Sequence, residues 1–302
     1  MGVSRTDAVL LVVAVAAVST SAPLIREAAA PALAVAFWRN ALASAAVVPV
    51  SQRGRFTGTV RAERPDARSW KLAVGAGALL GAHFAAWIPS LSFTTVSASV
   101  ALVTTQPVWA ALVAGLRGHR IGRSGWVGIA LAISGAVLIT GVDVSSSGRA
   151  LFGDVLAVLG GMLAAAYVTV GHAARRRLST TDYTAVCYSV AAVTLLVVCL
   201  VTRQPLSGFS SKTWLCLVAI TVGPQLLGHS VFNRVLRTVG PTVVSVAIVA
   251  EIIGAALLAA WWFGESPPPA IVPAAGCIIV GVILVVCSGA EPEEGLVEVV
   301  TA

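Results

Sequence analysis

Charged residues are scarce in this sequence, and their scarcity excludes most classes of protein. Aspartate, glutamate, lysine and arginine make up 11% of the 302 residues, whereas a soluble domain carries about 25%. So little charge cannot cover a water-facing surface of this size, which argues against a soluble enzyme, a disordered chain and a nucleic-acid-binding protein. Hydrophobic residues make up 57%, and the mean hydropathy is +0.91. The composition therefore indicates a polytopic membrane protein.

Sequence motifs for metal, nucleotide and disulfide chemistry are also missing. The five cysteines fall in apolar stretches, and none has the C-x-x-C spacing of a zinc site. No glycine-rich loop of the Walker type occurs, so ATP is not the expected energy source. The basic residues are not interleaved with aromatic residues, which argues against nucleic acid as a partner. We expect neither a cofactor nor a bound metal.

Long apolar stretches are what the sequence has instead. A helix needs about 20 apolar residues to cross the hydrocarbon core, and ten stretches qualify. The alternation typical of barrel strands is absent, so the spans are predicted to be helices. The first span also has features of a signal peptide, whose cleavage would leave nine helices. The predicted spans lie near Ala8–Ile25, Pro31–Val50, Trp70–Phe93, Val96–Leu116, Gly122–Val142, Leu151–His172, Tyr183–Thr202, Lys212–Leu236, Pro241–Phe263 and Ala270–Cys287.

Basic residues are concentrated in alternate connections between these spans. With the N-terminus inside the cell, fifteen of the 20 lysines and arginines are cytoplasmic and four are external, while Arg39 lies within a span. Positive charge favours the cytoplasmic side, so both termini are predicted to be cytoplasmic. This bias explains the basic composition without a polyanionic partner. The alanine and arginine content fits a GC-rich bacterium, so we expect the protein in the bacterial plasma (inner) membrane.

The two halves of the chain show weak internal similarity. Asp7–Leu10 matches Asp154–Leu156, and Leu79–His83 matches Leu226–His229 at nearly the same offset. Each half holds five helices, an odd number, so the second half must enter the membrane in the opposite sense. We therefore predict an all-α polytopic membrane protein, with ten transmembrane helices as two inverted five-helix repeats and a binding site near the midplane. The predicted units are a first repeat over 1–149, a second repeat over 150–290 and an acidic cytoplasmic tail over 291–302.

Several motifs follow one another in a fixed order along almost the whole chain. They are Phe37–Ala43, Ser97–Ser99, Gln106–Leu112, Gly228–Leu236, Gly240–Ser245 and Gly276–Val282. In order and spacing they resemble the drug/metabolite transporter superfamily, in its EamA-like branch. The family pattern commonly closes the fourth span with Gly-Glu; Gly118-His119 stands there in the first half, whereas Gly264-Glu265 keeps the pattern in the second. The resemblance implies transport of a small solute and leaves the solute open.

Ionisable side chains within the spans are rare and informative, because a charge in hydrocarbon is costly. Glu251 is the only acid in the middle of a span, and Gln106 holds the matching place in the first repeat. Glu251 either takes up and releases a proton or stays neutral in a hydrogen bond to a neighbouring helix. Arg39 cannot shed its charge, so it must pair with an acid, with helix carbonyls or with an anionic solute. Glu251 is the deep acid available to it.

Two histidines occupy near-equivalent places in the repeats. His83 and His229 favour a shared cavity lining, although a buried histidine can also be purely structural. His172 lies at a helix end and is interpreted as interfacial. Asp7 and Asp154 stand near the starts of corresponding helices and are interpreted as caps.

Amides and aromatic residues complete the candidate site. Trp87 lies one helical turn after His83, and Asn233 lies one turn after His229, so each pair shares a helix face. Packing alone would also explain each of these residues. The predicted substrate and cavity residues are Arg39, Asn40, His83, Trp87, Gln106, Trp109, Tyr167, Tyr188, His229 and Asn233, and the predicted proton-coupling residue is Glu251.

These observations predict a secondary active transporter that exports a small organic metabolite by alternating access, driven by a proton gradient. Passive facilitation of small solutes is the alternative within that class. An enzyme is not expected, because a lipid-modifying membrane enzyme would need acids, histidines or metal ligands clustered at one interface. A non-transporting scaffold is a third hypothesis. The expected partners are a small-molecule solute and the lipid bilayer, and a homodimer is left open.

Overall fold

Helices account for the regular structure of the described part of the chain. The computed structural model describes residues 4–56, 66–116, 121–264, 269 and 271–287. Gly118-His119, Glu265 and the predicted acidic tail lie outside these residues. The helices are α1 (Arg5–Ser19), α2 (Ser21–Glu27), α3 (Ala32–Phe56), α4 (Ala67–Ser90), α5 (Val96–Val103), α6 (Gln106–Leu116), α7 (Arg123–Ser146), α8 (Gly148–Arg175), α9 (Thr180–Val201), α10 (Ser211–Ile220), α11 (Ser230–Phe263) and α12 (Ile271–Cys287), with a π-helical segment (Thr221–His229) between α10 and α11.

The helices coincide with the predicted membrane spans. Two spans consist of two helices each, because α1 with α2 forms the first span and α5 with α6 forms the fourth. Helix α7 occupies the predicted fifth span, and two shorter apolar helices, Ala247–Phe263 and Val272–Val285, occupy the last two. Seven segments are long and apolar enough to cross a membrane: Arg5–Glu27, Ala32–Gly54, Ala67–Ser90, Val96–Val113, Gly148–Arg175, Thr180–Val201 and Ser211–Val235. The prediction of an all-helical, ten-span membrane protein is confirmed.

Helix starts follow the usual capping chemistry, in which a short polar side chain accepts a hydrogen bond from a free backbone N–H. Ser4 caps α1, and its hydroxyl also donates to the Asp7 carboxylate at 2.8 Å. Ser147 caps α8, so Asp154 lies in the second turn of that helix and is 1% exposed. The interpretation of Asp154 as a cap is therefore wrong. Its place near the start of an apolar stretch was misleading because α8 begins earlier, at Gly148.

The first, fourth and eighth spans are each interrupted beside a proline, which lacks the N–H that an α-helix needs. Helix α2 begins two residues before Pro23, and α6 begins one residue before Pro107. Pro224 lies inside the π-helical segment, where the hydrogen bonds of the backbone span one residue more than in an α-helix. Thr104 and Thr105 donate to the carbonyls of the last turn of α5, which satisfies acceptors that the break leaves open.

The backbone stays helical from Ser230 to Phe263, yet this segment crosses the bundle twice. Gly228 lies against Val18 near the end of α1, and the Thr238 hydroxyl donates to Asp7 at the start of α1 at 3.1 Å. Ser19, at the end of α1, then fills the space where a Cβ on Gly254 would lie. The chain therefore runs along α1 in one direction and returns, as the two predicted spans require.

Helix packing has the symmetry of an inverted repeat. The third span, α4, packs on the sixth, α8; the equivalent eighth span, in the π-helical segment and α11, packs on the first, α1. The second and seventh spans pack on each other as α3 and α9, and the fifth and tenth as α7 and α12. Exchanging the two halves therefore maps the contacts onto themselves. The prediction of two inverted five-helix repeats is confirmed.

Glycines allow close helix approaches, as at Gly77 and Gly81 in α4. A Cβ on either would come within 3 Å of α9, at Val190 or Thr194. In the same way, the Gly128 backbone of α7 lies directly on the Gly281 backbone of α12. Small residues matter here because lipid provides no hydrophobic driving force for helix association. The helices therefore associate through close van der Waals contacts, which small residues permit. These approaches hold the helices firmly on the outer sides of the central cavity.

Candidate solute cavity

A cavity of about 100 Å³ lies between the two halves. Its walls come from both repeats, with α1, α2, α4, α5 and α6 on one side and α8, α9, the π-helical segment and α11 on the other. Most of the residues predicted from the sequence meet here, although they are spread over 168 positions between the first and the last. Those on the wall are His83, Trp87, Gln106, Tyr167, His229, Asn233 and Glu251.

Helix α4 contributes a stacked pair of rings to the wall. His83 and Trp87, one turn apart, lie nearly parallel with ring centroids 5.8 Å apart. The Nδ1 atom of His83 lies 2.9 Å from the Gly160 carbonyl, which can only accept, so Nδ1 carries the proton and donates. Trp87 is 4% exposed, and among the described residues its indole N–H has no partner. The pair therefore offers a solute an apolar face and a free donor.

The opposite wall is built from hydroxyl and amide groups. The Asn233 side chain donates to the Tyr167 hydroxyl at 3.4 Å. Tyr183 and His172 both line the cavity. Sequence reasoning missed these two: it took Tyr183 only as a span boundary and His172 as interfacial. Both residues lie near helix ends, and the local sequence pattern does not show that the cavity extends as far as these ends.

Glu251 lies half-buried on the wall of the cavity. In the described structure no ion pair joins its carboxylate to Arg39, so this acid is not the direct partner among the alternatives that the sequence leaves open for Arg39. The Arg39 guanidinium is held instead by Gln225, whose side-chain carbonyl accepts from Nε at 2.9 Å. Nothing in the sequence identifies Gln225 as the partner of Arg39, because it lies 186 positions away in the π-helical segment.

Arg39 belongs to a buried polar cluster behind the wall, which we call the arginine cluster. Gln225 joins it to neighbouring helices, since its side-chain amide donates to Asn40 at 3.3 Å and its backbone carbonyl accepts from the Tyr188 hydroxyl at the same distance. The structure therefore brings Arg39, Asn40 and Tyr188 together, next to the cavity and not on its wall. The cluster consists of Ser21, Arg39, Asn40, Tyr188, Gln225 and Ser230.

Trp109 is the one predicted site residue that joins neither group. It is half-buried on α6, and its indole N–H donates to the Thr105 hydroxyl of the preceding turn at 3.0 Å. Gln106, at the start of the same helix, does reach the cavity. The two residues are three positions apart, yet the break between α5 and α6 turns only the first turn of α6 toward the cavity.

These features define the class of the protein, which is a polytopic helical membrane protein of two inverted repeats that enclose a largely apolar cavity with polar side chains on its wall. The sequence matches the EamA-like transporter family over residues 6–141 and again over residues 151–287. Because the two matches cover most of the chain, the protein belongs to the EamA-like transporter family, within the drug/metabolite transporter superfamily. Its members are transporters and not enzymes.

The other comparisons concern the fold alone. One solved crystal structure aligns with 93% of this chain and 98% of its own, with a TM-score of 0.64 and 17% sequence identity. Sixteen solved chains match in total. At that identity the likeness shows the fold and carries no substrate. No curated protein matches the sequence.

Proposed function

We propose that this protein is a secondary active transporter that exports a small organic metabolite by alternating access, driven by a proton gradient. The observation that carries the proposal is the cavity between two inverted halves, which is largely apolar and has the carboxyl group of Glu251 on its wall. Inverted repeats supply two related arrangements of the same helices, which is what alternating access needs. For the proposal we divide the chain into repeats over 1–149 and 150–290 and a cytoplasmic tail over 291–302.

Glu251 is the group best placed to couple solute movement to protons. A closed, dry cavity disfavours an ionised carboxyl, whereas a hydrated cavity that is open to one side favours it. The two conformations therefore bind a proton with different affinity, which is the condition for a proton gradient to shift their populations. His83 and His229 are the alternative carriers, because an imidazole can also titrate near neutral pH.

Export is supported by the direction in which the cavity extends, because its wall reaches the helix ends on one side of the membrane. Gly171 and His172 lie near the end of α8, Tyr183 lies at the start of α9, and three arginines, at 175–177, lie between them. The positive-inside rule assigns this end to the cytoplasm, together with both termini. The cavity then extends toward the cytoplasm, the side from which an exporter loads. At the opposite end, Lys212 forms an ion pair with Glu27.

The experiment is solute flux through the purified protein in liposomes. A thermal-shift screen of metabolites first identifies a solute that stabilises the folded protein by mass action. That solute is then loaded on one side, with and without an imposed pH difference. Accumulation driven by the pH difference supports the proposal, and downhill flux that ignores it supports passive facilitation. Absence of flux for a solute that binds would contradict transport. Cross-linking in the same vesicles tests the homodimer.

A further inference from the structure

In the described part of the chain, the arginine cluster contains a positive charge to which no acid is hydrogen-bonded, and Glu251 on the cavity wall acts on it only through longer-range Coulomb attraction. Arg39 is 0% exposed, and its hydrogen-bond partners, Gln225 and Ser21, are both neutral. Within the part of the chain that the structure describes, its Nη2 atom has no hydrogen-bond partner. A buried guanidinium stays charged and is costly unless an anion pairs with it. The protein alone leaves this pairing incomplete.

A single side chain separates this charge from the cavity. The Phe84 ring lies 4.2 Å from the Arg39 guanidinium carbon, on one face of the guanidinium. The Phe84 ring also neighbours the rings of His83, His229 and Trp87, with centroid distances of 4.8, 6.0 and 6.4 Å, and all three residues line the cavity. Ser21, which accepts from Nη1, lines the cavity as well. A rotation of Phe84 would therefore expose Arg39 to a bound solute.

Gln225 occupies the position that a carboxylate of a solute would take. Its side-chain carbonyl accepts the Nε proton of Arg39, although a carboxylate would accept two guanidinium protons and neutralise the charge. Gln225 also lies in the middle of the π-helical segment, a conformation that is rare and concentrated at functional sites. Releasing Arg39 from Gln225 would remove one of the side-chain hydrogen bonds that join the segment to α3, and the bond from Gln225 to Asn40 would remain.

We propose that Arg39 binds the carboxylate of a monoanionic organic solute in exchange for Gln225, and thereby selects the charge of the transported solute. The proposal rests on the proposed transport function and adds the substrate class. A single arginine serves a single negative charge, and Glu251 on the same wall disfavours a dianion. The rest of the solute would lie against the His83 and Trp87 rings, which favour a flat apolar group.

The test compares three probes of the same shape and different charge: benzoate, benzyl alcohol and benzylamine. Calorimetric titration of the purified wild-type protein should give a dissociation constant for benzoate at least tenfold below those of the other two. Equal binding of benzyl alcohol or tighter binding of benzylamine would overturn the proposal. This arm needs no variant, so it stands whatever a substitution does to folding.

Two substitutions of the same kind locate the site. Gln225→Glu places an internal carboxylate on Arg39, so benzoate binding should fall at least tenfold while the melting temperature is kept or raised. Gln204→Glu makes the same change in the connection after α9, outside the cavity lining, and should change benzoate binding less than threefold. An equal loss in both variants would assign the effect to the overall charge of the protein and would overturn the proposal.

Failure of this inference differs from failure of the proposed function. If another solute is transported in liposomes while benzoate shows no preference over benzyl alcohol, Arg39 is structural and transport stands. If benzoate binds with the expected charge preference and no solute that binds crosses the bilayer, the anion site stands and transport fails.

Discussion

The two halves of the molecule place equivalent histidines on different backbones. His83 lies in α4, a continuous helix of 24 residues, and its ring is fixed by the Gly160 carbonyl. His229 ends the π-helical segment that contains Pro224, and its ring packs edge-to-face on Phe84. The repeat therefore supplies two related walls, of which the wall in the second half has the less regular backbone. We expect the larger movement there.

A second difference between the halves concerns charge. Gln106 and Glu251 hold matching places and both line the cavity, yet only the second can ionise. The duplication thus supplied two positions at related depth, and divergence made one of them a candidate proton carrier.

Substituting Glu251→Gln should abolish solute accumulation driven by a pH difference, because it keeps the size of the side chain and removes titration. The matched variant in the first half is Gln106→Asn, which should keep at least half of the accumulation. Both are measured in proteoliposomes with an imposed pH difference. If the Glu251 variant still concentrates solute, Glu251 is structural and the proton carrier must be sought at His83 or His229.

Substituting Gly128→Ala should lower the stability of the folded protein by about 1–3 kcal/mol, because the new methyl group would meet the backbone of α12. The matched variant on α12 itself is Gly276→Ala, where a Cβ meets nothing within 4 Å. That change should leave the melting temperature in detergent within a degree or two of wild type, or raise it. Equal melting temperatures for the two variants would contradict the close contact of α7 with α12.

Substituting His83→Leu and His229→Leu should separate the two histidines. The first removes the hydrogen bond to Gly160 and should cost about 1 kcal/mol of stability. The second removes only a ring contact, so its effect on stability should be smaller. Thermal unfolding followed by tryptophan fluorescence measures both. A larger loss for His229 would mean that the second-half histidine is the more firmly held.

The smallest effect concerns the caps of equivalent spans. Asp66 begins α4 and Ser210 begins α10. Hydrogen bonds from Ser69 lower the pKa of Asp66, so its contribution to stability is present above the unfolded-state pKa, about 3.9, and is lost as pH falls through the folded-state value. Asp66→Ala should therefore lower the melting temperature slightly at neutral pH and less in acid. Ser210→Ala should show no such pH dependence.

Hydropathy and internal similarity predicted the spans and the repeat because both depend on residue type along the chain. They also selected His83, His229 and Glu251, which the structure brings to the wall of one cavity. They could not identify Gln225, since a lone glutamine in an apolar stretch gives no sign that its partners, Arg39 and Asn40, lie in the other half. The π-helical segment around Pro224 could not be predicted either, because which carbonyls take the remaining N–H groups depends on the neighbouring helices.

The most direct test of the account is whether one cavity position can be reached from both sides of the membrane. Ser21 is the member of the arginine cluster that lies on the cavity wall, and Ser21→Cys is a small change in side-chain size. The variant, with the five native cysteines replaced, is exposed to a membrane-impermeant thiol reagent in vesicles of each orientation. Alternating access predicts labelling from both sides, with an excess solute that binds reducing both rates. Labelling from one side only, whatever solute is added, would contradict it.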